Sequence, residues 1–217
     1  MTVTFPNETE SYRAARNALL QAETELRQRV EDVAALRRKL PLGGKLAEAY
    51  RFRDPDGSDV AFEDLFGAHD TLAVYSLMYG PNAEAPCPMC SAFLDGMNGQ
   101  ASHIDSRLAL AVVAQREPAD LARLKQRMGW HALPLHSALG SNYQSDYLAQ
   151  SEDGSQLPML NIFQRTDGGI HHFWGSEMFF AQSPWHPRHV DALWPLWNMF
   201  DLTPAGRGDH FPSLRQI

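Results

Sequence analysis

Cysteine is scarce in this chain: 217 residues hold two, Cys87 and Cys90. Two thiols cannot staple a small secreted fold, which relies on several bridges. Long apolar runs are also missing, and no stretch reaches the roughly 20 residues needed to span a bilayer. Positive charge is in deficit: 19 Lys and Arg stand against 26 Asp and Glu, a net charge of −7. Such a chain has no electrostatic footprint for nucleic acid or for an anionic membrane. There is no Gly-rich phosphate loop, and no Gly-x-Ser-x-Gly elbow to present a hydrolase serine. The opening MTVTFPNETESYRAARN lacks the basic-then-apolar pattern of a signal peptide. The reading is a cytoplasmic protein. In a reducing compartment a Cys-x-x-Cys pair is more often catalytic or metal-binding than structural.

Glycine and proline are absent from residues 8–40, and there the chain has a distinct texture. Apolar residues recur at Tyr12, Ala15, Leu19, Ala22, Leu26, Val30, Val33, Leu36 and Leu40. Steps of three and four place them on one face of a long helix. Glu8 and Glu10 near its start and Arg37, Arg38 and Lys39 near its end suit the helix dipole. Pro41, Gly43 and Gly44 stop it. So narrow a stripe must lie on its own domain or pair with a second copy, and a homodimer through this helix is one expected arrangement. The division expected is a helical arm over 1–44 and an α/β domain over 45–217.

From Tyr50 strands alternate with helices. YRFRD runs as a strand into the turn PDGS, and FEDLFG makes about one helical turn. TLAVYSLMYG and RLALAVVAQ are apolar almost throughout, as strands covered on both faces are. Between them SAFLDGMNGQASHID forms a helix weakened by Gly96 and Gly99, and ADLARLKQRMGW forms another that ends at Gly129. ALPLHSA is a short strand, and GSNYQSDYLAQSEDGSQ reads as loop. PMLNIFQR, TDGG and IHHFW form a hairpin, with Asp-Gly expected to supply the positive φ angles. SPWHPRHVDALWPLWNMFDLTP reads as one aromatic-rich helix. The order β-α-β-α-β, then β-β-α, implies a mixed sheet with a parallel centre and an antiparallel edge.

The sequence APCPMC places Cys87 and Cys90 where an apolar strand gives way to a helix. Unpaired amides and a positive dipole end meet the sulfur of Cys87 there, so its pKa is expected to fall. Pro88 starts the helix without wasting an amide. Cys90, nearly one turn on, is placed to reach the first sulfur. Cys87 then attacks a disulfide and Cys90 resolves the mixed disulfide. No organic cofactor is required, since the electrons sit on the sulfurs. A protein or small-molecule disulfide is the expected partner. Two rival readings stay open. In one, Cys87 and Cys90 share a metal with His171, His172, His186 or His189, although the adjacent pair on a strand cannot both face one ion. In the other, the domain is a non-catalytic interaction module. Asp95, five residues after Cys90, is a candidate proton acceptor, with a solvated helix position as the plainer reading. Tyr79 and Asn82 are candidates for lining the sulfur pocket. Trp194 and Trp197 lie at helical spacing and read as core. Arg207-Gly208-Asp209 spells an adhesion tripeptide that in a cytoplasmic chain carries no role.

CPMC after an apolar strand, with LPMLNIFQRTDGG downstream, resembles the thioredoxin superfamily. The chain as a whole is similar to a bacterial family, the domain of unknown function 899, in its N-terminal helix, in YSLMYGPNAEAPCPMCSAFLDGMNG and in FDLTPAGRG. The resemblance implies a thioredoxin-like α/β fold, peroxiredoxin-sized because 102–156 is long. It also implies that Pro158 follows a cis peptide bond beside the cysteines and shapes a substrate groove. Pro86 stands where thioredoxin has Trp, and Glu84 stands where a peroxiredoxin has Thr or Ser, which weakens a peroxidase reading.

Overall fold

A computed structural model describes residues 3–182 and 189–214. The chain divides into two compact units between Pro41 and Leu42, each considered by itself. The first is one helix, α1 (Glu10–Arg38), with Thr9 as N-cap accepting from the Tyr12 amide. Intrahelical pairs such as Arg16–Glu23 and Arg27–Glu31 line it, and none of its residues is buried. No helix among the described residues is long and apolar enough to cross a membrane.

The second unit is built on seven strands in the order β2-β1-β5-β4-β3-β6-β7. These are β1 (Arg51–Arg53), β2 (Asp59–Ala61), β3 (Thr71–Ser76), β4 (Ala109–Ala114), β5 (Leu135–Ser137), β6 (Leu160–Thr166) and β7 (Gly169–Gly175). The pairs β3–β4 and β4–β5 are parallel, while β6, β7, β1 and β2 pair antiparallel. The helices are α2 (Pro88–Asp105), α3 (Pro118–Met128), the single turn α4 (Tyr143–Asp146) and α5 (Pro195–Asp201).

The apolar runs become β3 and β4 because both sheet faces are covered. Side chains alternate between two cores. Ala73, Tyr75, Leu110 and Val112 face a cluster with α2, α3 and the C-terminal tryptophans. Leu72, Val74, Ala111 and Val113 face a cluster of aromatic rings from β1, the turn after β2, and α4.

Four local expectations change. The hairpin partner β2 occupies Asp59–Ala61, to which the sequence reading, passing from the turn PDGS to FEDLFG, assigns no element; three residues carry too little alternation to show a strand. The polar loop hides α4, whose Tyr143 is wholly buried. In the β6–β7 turn the positive φ falls on Gly169 rather than on Asp167-Gly168. The C-terminal stretch is not one helix. A short 3-10 turn spans Asp191–Leu193, and the chain is extended at Trp194 before α5 begins at Pro195. Proline disfavours helical geometry in the residue before it, which places that break. Trp185 and His186 lie outside the described residues. Gly96 and Gly99 do not interrupt α2, and a Cβ at Gly96 would make only ordinary contact with the Pro195 ring, 4.0 Å away.

Candidate active site

β3 ends at Ser76, and the chain from Leu77 to Cys87 must turn into α2 without strand or helix bonds. Backbone contacts hold the two ends, Leu77 N–H donating to Val113 O at 2.9 Å and Cys87 N–H to Met78 O at 2.9 Å. Arg116 holds the middle. Its Nη1 donates to the carbonyls of Gly80, Pro81 and Ala83 at 3.1, 2.7 and 2.9 Å, and Nε pairs with Asp120 at 2.5 Å. Tyr79 packs under the Arg116 guanidinium, 4.5 Å from carbon to ring centre, so it braces this loop, and it does not line the thiol cavity. Asn82 lies outside the thiol cavity as well. Asp95 accepts from Trp130 Nε1 at 2.8 Å, which commits it to a buried indole away from Cys90.

Cys87 is the N-cap of α2, with Pro88 in its first turn. Both cysteines are free thiols, Cys87 half-buried and Cys90 buried, and they lie 3.8 Å apart. That separation suits a sulfur hydrogen bond and is well beyond the roughly 2.05 Å of a disulfide. The Cys87 pKa is drawn down to about 6. The largest cause is the hydrogen bond from the Cys90 thiol; the amides of Met89 and Cys90 add to it, against the opposing cost of burial. Those amides act at longer range than a formal cap bond, since the sulfur makes none. Cys90 is pushed up, first by the same hydrogen bond, then by burial and by the neighbouring charge. The Tyr75 hydroxyl and the Met78 backbone pull Cys90 the other way. The pair therefore shares one proton, which resides on Cys90.

A cavity of about 480 Å³ opens over these sulfurs. Cys87, Cys90 and Pro158 all line it, so the three residues singled out from sequence come together. The peptide bond before Pro158 is trans, not cis. X-Pro bonds favour trans by about 0.5–1 kcal/mol unless a tight turn is demanded. None is demanded here: Leu157 N–H donates to Ala149 O and Met159 O accepts from Ser76 N–H, both at 2.8 Å, so the chain enters β6 extended. The remaining wall includes Tyr75, Phe179, Trp194, Trp197, Arg207 and Phe211. Arg207 is the residue sequence reasoning dismissed. It donates to Asp191 at 2.7 Å and to both oxygens of Asp201 at 2.7 and 2.6 Å, and it lies 5.5 Å over the Trp197 ring. The signal was present as a lone arginine among nearby acids and indoles, but its partners are fixed by the chain's fold rather than by spacing.

Among the described residues His189 and His210 line the cavity with the thiols, without forming a ligand set. Among the described residues no three of His, Cys, Asp and Glu stand close enough to hold a metal ion. His172 Nε2 meets Asn161 Oδ1 at 3.0 Å, and His171 Nδ1 meets Gly43 O at 3.1 Å. His189 lines the cavity with its ring 5.2 Å from that of Phe179. His186 lies outside the described residues.

Comparison with known proteins places this geometry in context. A family model described as "Bacterial protein of unknown function (DUF899)" matches residues 2–216. No curated protein matches the chain. Among solved structures, the mitochondrial 2-Cys peroxiredoxin of Plasmodium falciparum is 11% identical, with 75% of this chain and 94% of that chain covered and a TM-score of 0.46. A peroxiredoxin-like protein of Aquifex aeolicus is 13% identical, covering 63% and 75% with a TM-score of 0.45. The exposed lipoprotein thioredoxin Etrx1 of Streptococcus pneumoniae is 14% identical, covering 57% and 85% with a TM-score of 0.42. The fold that these comparisons meet is a mixed seven-stranded sheet flanked by helices, in a chain that also carries a long N-terminal helix.

Proposed function

Because the chain belongs to the bacterial family of unknown function DUF899, a membership that brings no activity with it, we propose from the chemistry of the cavity that it is a thiol–disulfide oxidoreductase. The supporting observation is the asymmetry of the two thiols: Cys87 is acidified to about 6 at a cavity while its buried partner keeps the proton. At pH 7 a thiol of that acidity is about nine-tenths thiolate, against a few per cent for a free cysteine. The Cys87 thiolate attacks one sulfur of R–S–S–R′, forms a mixed disulfide and expels R′S⁻, which takes a proton from solvent. The charge on Cys87 is thereby removed, which relieves the largest restraint on the Cys90 proton. Cys90 then ionises, bonds to the Cys87 sulfur and expels RS⁻. The substrate gains two electrons and two protons, and the cysteines end as a disulfide. An external dithiol returns them to the reduced state by the reverse exchange. Pro158, lacking an amide, forms a plain wall of the cleft beside Cys87.

The reading carries two further proposals. Such chemistry works in the reducing cytoplasm. The arm formed by residues 1–44 pairs two copies through its apolar stripe; light scattering of a Leu19→Glu, Leu26→Glu protein should then give half the parental mass, and an unchanged mass would remove the dimer. The test of the enzyme is disulfide reduction driven by a dithiol, compared between the parent and Cys87→Ser. Loss of rate by at least about a thousandfold is expected of a nucleophile. Parental rates in the variant would refute the role of Cys87.

A further inference from the structure

We infer that the cavity over Cys87 is built for a neutral, largely apolar small molecule bearing an aromatic ring, which as a substrate is a small organic disulfide rather than a polypeptide or a charged disulfide. The inference deepens the oxidoreductase reading and rests on it for the chemistry, but not for the binding.

Three observations carry it. The first is size: about 480 Å³ falls within the roughly 300–1,000 Å³ of small-molecule pockets. The second is the wall. Trp194 and Trp197 meet edge to face at 5.4 Å, and Tyr75, Phe179 and Phe211 add further rings around the path to the sulfur. Rings so arranged offer faces and edges to a guest ring. The third is how the charge is spent. Arg207 is the sole Lys or Arg of the wall among the described residues, and Asp191 and Asp201 already hold its nitrogens. All three guanidinium nitrogens are thus engaged, so an incoming carboxylate meets no spare fork on Arg207. His189 and His210 present rings that lie against Phe179 and against Trp197 and Phe200.

An extended polypeptide would need main-chain partners at the cleft. Leu157 N–H is given to Ala149 and Pro158 has none to give, so neither of these two wall residues offers an amide to an added strand.

The test separates binding from chemistry. A Cys87→Ser, Cys90→Ser protein cannot react, and its tryptophans report occupancy by fluorescence. Dibenzyl disulfide should bind it at least about tenfold tighter than oxidised glutathione or a disulfide-linked peptide, and Phe211→Ala, at an exposed rim position that leaves the fold intact, should weaken that binding several-fold. Trp197→Phe, with the fold checked by circular dichroism, should do the same. In the parent, kcat/KM should follow the same order of substrates. Glutathione disulfide or peptide binding as tightly as dibenzyl disulfide, or no binding of dibenzyl disulfide at all, overturns the inference. Tight, Phe211-dependent binding to the unreactive protein, with no turnover of any disulfide by the parent, upholds the ligand class and removes the oxidoreductase reading instead.

Discussion

The two faces of the sheet are both rich in aromatic rings, yet they are finished differently. On one, Tyr50, Phe52, Phe62, Tyr143 and Phe163 are at most 1% exposed, and their ring centres lie 4.9 to 6.2 Å apart. On the other, Tyr75 and Phe93 meet at 4.9 Å under α2, and Trp194 and Trp197 extend the row. That row ends at a cavity where the thiols lie. The first face is closed by rings from β1, the turn after β2, and α4, all within the sheet's own connections. The second is closed from one side by α2 and α3 and, among the described residues, holds a cavity where the C-terminal segment crosses it. The same side-chain chemistry stabilises on one face and accommodates a guest on the other, and the deciding difference is whether the last layer is completed.

Substitutions can break this contrast. The largest effect is expected at Cys90. Cys90→Ser should lose multiple turnover by at least about a thousandfold and accumulate a mixed disulfide at Cys87, seen as added mass. Parental turnover without trapped adduct would show that the two thiols are not a couple. Next comes the closed face. Phe62→Ala should cost about 3–5 kcal/mol in urea unfolding, whereas Phe211→Ala at the open rim should cost no more than about 0.5 kcal/mol. Equal losses would mean that the cavity face carries the fold as much as the packed one.

A third effect is a linkage of stability to pH. Folding lowers the Cys87 pKa from the free value of about 8.5 to about 6. A depressed acid contributes stability that is complete above the unfolded value and lost as pH falls through the folded one. The advantage of the parent over Cys87→Ala should therefore shrink as pH drops from 8.5 to 6. Cys90 is shifted the opposite way and loses its contribution only above the free thiol value, outside that window. A difference that is flat across the window would mean that α2 and Cys90 do not acidify the sulfur.

Much of this was legible in the chain. The apolar runs at 71–80 and 107–115 announced β3 and β4, because strands covered on both faces need no alternation. Cys87 and Cys90 were legible as a pair because three residues of helix bring the second thiol within reach of the first, a local effect, and that hydrogen bond rather than the helix start is the largest cause of the acidity. Pro158 was placed beside them on a resemblance, and its peptide bond proved trans because the extended entry to β6 asks for nothing else. What stayed hidden is non-local. Tyr143 sits in a polar stretch, and only the fold shows that it fills a gap between Tyr50 and Phe163. Arg207 is surrounded in sequence by glycines, and its two carboxylates and its indole are set by the way the last turn folds back. Spacing finds partners one turn apart and misses partners that meet through a tail.

The most direct measurement is the rate of iodoacetamide alkylation of Cys87 against pH, followed by mass of the labelled peptide in the folded protein. An inflection near pH 6, moving up toward the free thiol value in Cys90→Ala, is the predicted result. An inflection at or above about 8.5 in the parent would contradict the account, because the sulfur would then be an ordinary thiol at the edge of an apolar cavity.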